Sequence, residues 1–440
     1  MKAKVIKSEI QENRIEIGGY KHAFVMIVCM TVLLDISVDI RNVPNILEIK
    51  IFLKIFDYIE KKYFYDKKNC RLKIFKSNVV KRSRIPEELT KQVHGTIYLL
   101  PVLLNLYKEI EVYETGGCRI GKEETSSTRP INHMYDVLKQ FGARKEGGKW
   151  IIEDGFHSND IDIMTFSENS NVLSGPNVSG ATKTAIICAL KSKEQVNIHN
   201  PYMKADVLEM LGFIECIGGK YKYNDDKLTI YPINLEDKVY SYELVADVTE
   251  IITYIAFSQY HNVSVHLENI KKRSIVETSL YHEFQYIKKM GIKLVWKEDV
   301  LEVIPTESIG NIGKIEINGE SIYSDSQPFF LLMLLKSDYE TTLVDNVWSN
   351  RFHYAKELRE NGEPIRLIND NTVHISSIYK ESKREKSSLL SKELRGAACL
   401  LIYVSGTVGM VVDGVEHIER GYENFWGKLR GLGVEFEIEL

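Results

Sequence analysis

The stretch YIKKMGIKLVWKEDVLEVI, residues 286–304, contains the structural unit that recurs along the whole chain. Its first residues have the pattern of a helix end. Gly291 closes that helix, because glycine adopts a left-handed conformation without steric cost. Two segments come next, 292–296 and 301–304, in which apolar and polar residues alternate as they do in strands with one buried face. The stretch therefore predicts a helix followed by paired strands.

The same order of helix, glycine and strand recurs in other parts of the chain. Further copies lie at 138–152, 207–230, 358–375 and 429–438, with a weaker copy that lacks the glycine at 52–75. Six such units predict α/β packing in two similar halves, and the paired strands favour hairpins over a simple parallel sheet. The alternative, that this order is common in any α/β protein, stays open on the pattern alone.

The composition is typical of a folded protein of two or three domains. The chain has 440 residues, of which 44% are hydrophobic and 27% charged. A net charge of −4 gives no general attraction to nucleic acid or to an anionic membrane. The apolar run 23–34 is too short to span a bilayer, so it predicts a buried helix. The six cysteines lack CxxC spacing, and we expect a cytoplasmic protein.

Two charged stretches and the histidines bear on possible ligands. Residues 61–84 hold ten Lys or Arg against one Asp. Such a run can attract an anion, but it is more often a solvated surface, and it lacks the regular aromatic spacing of nucleic-acid-binding segments. The mixed-charge stretch 379–395 predicts a surface loop. The eleven histidines form no HxH or HExxH pattern, so we expect no metal site.

The loop GGCRIGKE, residues 116–123, places a cysteine between glycines. It is close to a P-loop pattern, but Glu123 stands where that pattern needs a hydroxyl that ligates magnesium. Arg119 and Arg129 are near Cys118 in sequence, and cations lower the pKa of a thiol. Cys118 is therefore a candidate acid or nucleophile toward an anionic substrate. A structural or incidental cysteine is the alternative.

Short motifs spread over the chain carry a family resemblance. The longest is HIERGYE at 417–423; the others are GGYKHA at 18–23, NVP at 42–44, GGCRIG at 116–121, RP at 129–130, SGAT at 179–182, SDSQ at 324–327, NRF at 350–352 and LRGA at 394–397. In this order they resemble the UDP-N-acetylglucosamine enolpyruvyl transferases, relatives of the shikimate-pathway enzyme that makes enolpyruvylshikimate phosphate. Each motif is modest alone, but the order is hard to obtain by chance.

The resemblance implies a fold of two inside-out α/β barrel domains, each made of three repeats, which agrees with the six units above. It implies an N-terminal domain over 21–245 that carries the Cys118 loop. Residues 1–20 and 246–440 then form the C-terminal domain. The active site is expected in the cleft between the two domains.

The resemblance also implies how the donor substrate is held. Phosphoenolpyruvate carries a carboxylate and a phosphate, and the planar guanidinium fork suits both groups. Lys21, Arg129, Arg395 and Arg420 match the family positions that supply cations. Surface ion pairing is the alternative for these four side chains.

Two further positions are carried over as catalytic residues. Asp325 matches the family carboxylate beside the acceptor hydroxyl, where it would act as base. Cys118 matches the thiol implicated in proton delivery to the enol methylene, which can also form a covalent adduct. The resulting reaction moves the carboxyvinyl group to an acceptor hydroxyl and releases phosphate. It requires no cofactor and no metal.

The expected substrate-binding positions include several departures from the family. The set comprises His22, His94, Arg129, Pro130, Ile131, Asn132, Ser179, Gly180, Val347 and Arg351. The departures are His22, His94, Asn132, Pro176, Met203 and Lys204. They cluster on the acceptor side, so we expect phosphoenolpyruvate and a nucleotide or UDP-sugar as partners, with no nucleic acid and no membrane. A catalytically impaired binding or regulatory relative, and an unrelated α/β transferase, stay open as alternatives.

Overall fold

The chain divides into two compact units. The computed structural model describes residues 1–117, 131–166, 176–377 and 386–439, with the backbone alone at 176–178. One unit consists of Met1–Gly18 and Ala246–Leu440, and we call it the 246–440 unit. The other consists of Gly19–Gly117 and the described residues up to Val245, and we call it the 19–245 unit.

The helices and strands follow one another in short alternation. The helices are α1 (Lys21–Leu34), α2 (Leu47–Tyr58), α3 (Glu87–Thr90), α4 (Leu99–Tyr107), α5 (Asn132–Gln140), α6 (Pro176–Ala189), α7 (Ala205–Cys216), α8 (Val248–His261), α9 (Arg273–Ser279), α10 (Tyr281–Met290), α11 (Gln327–Leu334), α12 (His353–Glu360), α13 (Leu394–Val404) and α14 (Phe425–Gly431). Short 3₁₀ helices lie at His94–Tyr98, Ile163–Phe166 and Val415–Arg420.

The strands are β1 (Lys2–Ser8), β2 (Asn13–Glu16), β3 (Ser37–Arg41), β4 (Tyr63–Asp66), β5 (Arg71–Ile74), β6 (Glu109–Glu111), β7 (Arg144–Glu146), β8 (Lys149–Ile151), β9 (Asp160–Asp162), β10 (Val196–His199), β11 (Tyr221–Asn224), β12 (Lys227–Ile230), β13 (Val239–Glu243), β14 (Val265–Glu268), β15 (Lys293–Lys297), β16 (Val300–Ile304), β17 (Gly313–Ile317), β18 (Thr341–Asp345), β19 (Ile365–Asn369), β20 (Thr372–Ile375), β21 (Ser388–Leu390), β22 (Val411–Asp413) and β23 (Val434–Glu439).

The sheets of the 19–245 unit each contain a hairpin that follows a helix. Their strand orders are β13-β3-β5-β4, β6-β8-β7 and β11-β12-β10-β9. The antiparallel hairpins β4–β5, β7–β8 and β11–β12 come after α2, α5 and α7. The predicted order of helix and paired strands is thereby confirmed in this unit.

The sheets of the 246–440 unit have the orders β15-β16-β14-β2, β17-β18-β20-β19 and β21-β22-β1-β23. Hairpins β15–β16 and β19–β20 follow α10 and α12 as predicted. The last repeat differs, because β23 pairs antiparallel with β1 instead of with a following strand. Strand β1 therefore takes the place that the second hairpin strand has in the other repeats.

Glycines end the repeat helices as the sequence predicted. The φ angles are positive at Gly142 (88°), Gly218 (83°), Gly291 (96°), Gly362 (96°) and Gly433 (87°). In this left-handed region an added Cβ would be strained, so glycine is the favoured residue. The weaker first copy has Glu60 with φ 57° at the corresponding turn.

Buried helices lie inside each unit, with the sheets around them. Helix α1 packs against α4, α6 and α7, and it is buried over 23–34 as the apolar run predicted. In the other unit α8, α11 and α13 pack on one another and bury nearly all their side chains. This is the inside-out α/β arrangement, which confirms the predicted fold class. None of the helices in the described ranges has the length and apolar character needed to cross a bilayer.

The prediction of a surface loop over 379–395 is wrong for the part that the structure describes. Ser388–Leu390 forms β21, and Leu394 begins the buried helix α13. The charge pattern was misleading because Glu393 is a helix cap, whose carboxylate accepts the N–H groups of Arg395 (2.9 Å) and Gly396 (2.8 Å). Residues 378–385 of this stretch lie outside the described ranges.

Candidate active site

The sequence-predicted site residues in the described ranges lie mostly at the starts of helices. Lys21 is the first residue of α1, Asn132 the first of α5, and Arg395 the second of α13. Asp325 lies just before α11, and Ser179 is in the first turn of α6. The first-turn N–H groups of a helix lack intrahelical partners and carry partial positive charge. These positions therefore favour anionic ligands.

Asp325 is held between two arginines in the 246–440 unit. Its Oδ1 accepts a hydrogen bond from Arg351 at 2.7 Å, and its Oδ2 accepts one from Nε of Arg395 at 3.0 Å. Both arginines are almost fully buried, at 3% and 1% exposure, while the Asp325 side chain is 30% exposed. The Asp325 carboxylate is therefore more accessible to a ligand than the two arginines that hold it.

A buried carboxylate anchors the turn that carries Asp325. Asp345 accepts the Ser324 hydroxyl at 2.6 Å and the backbone N–H of Val347 at 2.8 Å. Arg351 also donates to the Ser324 hydroxyl at 2.8 Å, so one guanidinium fixes two neighbouring residues. Burial raises the pKa of Asp345 above its usual range. The structure thus brings the predicted residues Val347, Arg351 and Asp325 into one network.

A second carboxylate, Glu283 of α10, holds the same turn from the other side. Its Oε1 accepts the backbone N–H of Tyr323 at 2.7 Å and the hydroxyl of Ser326 at 3.1 Å. Glu283 is fully buried. Neither Glu283 nor Asp345 could be singled out from the sequence, because each is a single acidic residue in another segment of the chain with no motif around it.

Arg395 is a buried cation with hydrogen-bonding capacity to spare. Its Nη1 and Nη2 atoms are buried and have no hydrogen-bond partner in the described part of the chain, and its guanidinium lies 4.9 Å from the centre of the Tyr422 ring. Burial opposes its charge, but the nearby Tyr422, Asp325 and Asp247 hold its pKa well above the ordinary value. Arg395 therefore stays cationic and can donate to an anion.

Arg420 lies in the same unit and close in sequence to Tyr422. It is the last residue of the 3₁₀ helix Val415–Arg420, which packs on α13, and it is half-buried. The Tyr422 hydroxyl is 2.7 Å from the Thr253 hydroxyl, which fixes the ring below Arg395. The HIERGYE motif thus contains the predicted cation Arg420 and also Tyr422, whose ring packs against the predicted cation Arg395.

Lys21 has a carboxylate partner within the 19–245 unit. Its ammonium group is 3.0 Å from Oε2 of Glu48 on α2, and both side chains are buried. Gly95 follows His94 in the 3₁₀ helix, and a Cβ added there would come within 2.6 Å of Oε1 of Glu48. The structure therefore joins Lys21, Glu48 and the His94 segment. His22, next to Lys21, stacks edge-on against Tyr20 with ring centres 5.3 Å apart.

His133 links two predicted binding segments. It follows Ile131 and Asn132 at the start of α5, and its ring lies against Gly180 of α6, where an added Cβ would be 2.1 Å from Nε2. Burial, together with the nearby Lys183, lowers the pKa of His133 to about 4. His133 is therefore neutral at pH 7. The sequence pointed to Asn132 and Gly180 but gave no reason to single out His133.

Lys183 and Asp206 form a buried ion pair beside these residues. The Lys183 ammonium group is 2.7 Å from Oδ2 of Asp206 and lies 4.9 Å from the centre of the Tyr98 ring. Burial opposes the charge, yet Asp206 and Tyr98 raise the pKa of Lys183 above its ordinary value. Tyr98 ends the 3₁₀ helix that His94 begins, so Lys183 joins α6 and α7 to the end of that 3₁₀ helix. Sequence reasoning missed both residues.

Some predicted residues lie outside the described ranges. These are Cys118, Arg129 and Pro130, and the side chain of Pro176 is likewise not described. Within the described residues there is no group of three or more His, Cys, Asp or Glu side chains that could hold a metal ion. The candidate residues form one cluster around Asp325 in the 246–440 unit and a separate set, from Lys21 to Asp206, in the 19–245 unit.

Solved structures of other proteins have the same fold as this chain. The enolpyruvyl transferase NikO from Streptomyces tendae superimposes with a TM-score of 0.87, at 23% identity and over 99% of this chain and 98% of that chain. EPSP synthase from Acinetobacter baumannii gives a TM-score of 0.70 at 11% identity over the full length of both chains. At such identities the likeness establishes the fold alone, which is the enolpyruvyl transferase fold.

The chain belongs to the EPSP synthase (3-phosphoshikimate 1-carboxyvinyltransferase) family, whose model matches residues 6–429. UDP-N-acetylglucosamine 1-carboxyvinyltransferases from Campylobacter jejuni subsp. doylei and Buchnera aphidicola subsp. Schizaphis graminum are 25% and 26% identical to it. Each alignment covers 96% of this chain, and 96% and 95% of the respective relative. The predicted resemblance is confirmed, and the protein is a phosphoenolpyruvate-dependent enolpyruvyl transferase.

Proposed function

We propose that this enzyme transfers the carboxyvinyl group of phosphoenolpyruvate to a hydroxyl of a nucleotide or UDP-sugar and releases phosphate. The observation that carries the proposal is the Asp325 cluster. A partly exposed carboxylate is fixed by two buried arginines, and one of them, Arg395, has two nitrogen atoms without a partner in the described residues. Such a cluster offers a base and a cationic anion-binding group side by side.

The donor side is assigned to the cations at the helix starts. Arg395 and Arg420 in one unit, and Lys21 in the other, would bind the carboxylate and phosphate of phosphoenolpyruvate, with Arg129 as a further candidate from the sequence. Arg395 supports this role best, because its buried guanidinium can exchange unused donors for bonds to a substrate anion without first losing protein contacts. The cleft between the two domains remains the proposed location of the reaction.

The chemical steps assign a proton to each candidate group. Asp325 takes the proton of the acceptor hydroxyl while the hydroxyl oxygen bonds to C2 of phosphoenolpyruvate, and Cys118 gives a proton to the C3 methylene. The product of this addition is a tetrahedral intermediate with a methyl group. Loss of phosphate, with removal of a proton from that methyl group, restores the double bond. The reaction is balanced without an oxidant, a reductant or a metal.

The acceptor side is assigned to the Lys183 region. Ser179 lies in the first turn of α6 and Gly180 follows it, while Lys204 precedes α7, so two helix starts with partial positive charge are present for phosphate oxygens. The relatives named above act on UDP-N-acetylglucosamine, which supports a nucleotide-containing acceptor. His22 and Asn132 replace family residues there, which supports an acceptor that differs from the relatives' substrate. We propose a cytoplasmic location, because Cys29, Cys188 and Cys399 are free thiols.

The test is phosphate release from phosphoenolpyruvate with a panel of uridine, UMP, UDP and UDP-N-acetylglucosamine, together with mass spectrometry of the product. We expect one acceptor to give stoichiometric phosphate and a carboxyvinyl ether. Asp325→Asn should abolish turnover, whereas Asp299→Asn, at an exposed aspartate of the same unit, should not. Phosphate release that needs no acceptor, or full activity of Asp325→Asn, would contradict the proposal.

A further inference from the structure

The basic segment 61–84 has no part in the proposed reaction, and its structure suggests a separate role. Together with α2 it forms a groove of about 850 Å³ on the 19–245 unit. The groove is lined by Lys50, Leu53, Lys54, Asp57, Lys61, Lys62, Tyr63, Phe64, Tyr65, Lys67 and Phe75. None of these residues belongs to the candidate active site.

The groove has an excess of positive charge. Lys50, Lys54, Lys62 and Lys67 are exposed along it. The fifth lysine, Lys61, is buried and already neutralised by Asp35 at 2.6 Å. The lining contains a single acidic residue, whose carboxylate accepts the Tyr63 hydroxyl. Four exposed ammonium groups therefore face one carboxylate, which favours a polyanionic occupant.

The groove also runs along a sheet edge. Strand β4 is the outermost strand of the sheet β13-β3-β5-β4, and in the described part of the chain β5 is the strand that it pairs with. Tyr63, Phe64 and Tyr65 of β4 all line the groove. Because successive residues of a strand point to opposite faces, a groove that contacts all three runs along the edge of the strand. Such an edge can pair with an added strand through backbone N–H and C=O groups.

Two exposed aromatic side chains lie beside this edge. Phe64 on β4 is 59% exposed and Phe75, directly after β5, is 42% exposed. Side chains of an extended chain alternate between two sides. An added strand would therefore direct one set toward Lys50 and Lys54 on α2 and the other toward Phe64 and Phe75.

We propose that the groove between α2 and β4 is a docking site for an extended acidic segment of a partner protein, which pairs with β4 as an additional strand. A second copy of this chain is disfavoured as occupant, because pairing two β4 edges would bring like-charged lysines together. Single-stranded nucleic acid also matches the charge, but it offers no strand partner for the edge. The polypeptide is therefore the occupant that uses both the charge and the edge.

The test uses fluorescence anisotropy with the full chain and a labelled peptide of alternating glutamate and valine. We expect saturable binding that weakens as ionic strength rises from about 0.05 to about 0.5 M. Charge reversal at two groove positions, Lys54→Glu with Lys62→Glu, should weaken binding at least tenfold. The matched control Lys222→Glu, on the outer strand β11 of another sheet in the same unit, should leave it unchanged. Enzymatic activity should be unchanged in both variants.

Two further probes separate the components of the proposal. The same peptide with N-methyl groups on alternate residues keeps the charge but cannot form the strand pairing, so it should bind at least tenfold more weakly. An oligothymidylate of similar net charge tests nucleic acid. Absence of saturable binding by the acidic peptide, equal binding of the N-methylated peptide, or tighter binding of the oligothymidylate would each overturn the proposal.

Discussion

The two parts of the candidate site stabilise buried charge with different cations. Around Asp325 the cations are arginines. The single side chain of Arg351 donates to the Ser324 hydroxyl through one nitrogen and to the Asp325 carboxylate through another. In the 19–245 unit they are lysines, and each of the pairs Lys21–Glu48 and Lys183–Asp206 has one close contact. A planar fork fixes the orientation of its partner, whereas an ammonium group acts as a point charge.

The difference agrees with where the motif resemblance predicts departures from the family. The predicted departures, which are His22, His94, Asn132, Pro176, Met203 and Lys204, all fall in the 19–245 unit. Asp325 and the two arginines lie in the segments SDSQ, NRF and LRGA, which resemble family motifs. Each arginine of the Asp325 cluster contacts more than one group, so replacing one arginine leaves several buried groups without a partner. Substitutions in this cluster are therefore expected to be poorly tolerated. Lysine pairs couple fewer groups, so the region that we assign to the acceptor can diverge one pair at a time.

The largest effect is expected from breaking a lysine pair. Lys183→Met leaves the buried Asp206 carboxylate without its cation and should lower the free energy of unfolding by about 3 to 5 kcal/mol. The double variant Lys183→Met with Asp206→Leu should recover most of this loss, because two apolar residues replace both charges. Urea denaturation of the three proteins measures the effect. If the double variant is as unstable as Lys183→Met, the loss of stability does not come from the unpaired Asp206 carboxylate.

The next effect concerns the arginine cluster. Arg395→Lys keeps the positive charge but removes the guanidinium group. In the wild type the Nε of this group contacts Asp325, and its Nη1 and Nη2 atoms are the donors proposed to bind the substrate. We expect kcat/KM for phosphoenolpyruvate to fall by about 10²–10³-fold, equivalent to about 3 to 4 kcal/mol. Arg366→Lys, at an exposed arginine of β19, is the matched control and should behave as wild type. Steady-state kinetics measure both variants. If kcat/KM of Arg395→Lys equals that of the wild type, the planar shape of the guanidinium group does not matter for the reaction.

Acid sensitivity should distinguish the two regions as well. His133 has a pKa of about 4 in the folded protein against an ordinary value of 6.5, so the unfolded chain binds more protons between these values. Stability should therefore fall as the pH drops from about 6.5 to about 4, by roughly 3 kcal/mol in total. Unfolding free energies at several pH values should show this slope in the wild type and in the control His157→Gln. The slope should be smaller in His133→Gln, and an unchanged slope there would exclude His133 as a cause.

The smallest effect tests the contact between α5 and α6. A Cβ at Gly180 would meet Nε2 of His133 at 2.1 Å, so Gly180→Ala should cost about 1 to 3 kcal/mol of stability through overpacking. We expect a higher KM for the acceptor and an unchanged KM for phosphoenolpyruvate. Adding His133→Ala should relieve the clash and restore stability. A rise in both KM values would show that the acceptor region is not separable from the donor region.

Much of the fold could be predicted from local pattern. The glycine after each repeat helix and the alternation in the following strands depend only on neighbouring residues, and Gly291 with β15 and β16 shows both. The buried helix α1 could be predicted from the composition of 23–34 alone. The prediction of a surface loop over 379–395 is wrong for the described part because Glu393 caps helix α13. The sequence alone does not distinguish a glutamate that caps a helix from one that is exposed on a loop.

The candidate site could be predicted only where residues stand in motifs. Asp325, Arg395 and Arg420 are predicted because each lies in a short recognisable segment, and in the structure Arg395 contacts Asp325. Glu48, Glu283 and Asp206 could not be found this way, since their roles arise from contacts with residues distant in the sequence. A buried acidic residue has no local signal that distinguishes it from the many exposed ones.

The pairing of β1 with β23 has a consequence for the order of folding. Ser8 pairs with Val434, so the sheet β21-β22-β1-β23 cannot form until a ribosome has passed the last repeat. The described residues of the 19–245 unit all precede Ala246 in the chain, so this unit can fold during synthesis before the last repeat is made. Until β22 and β23 have been synthesised, β1 lacks both of the strands that it pairs with in the folded protein, and its unpaired backbone groups can pair with another chain.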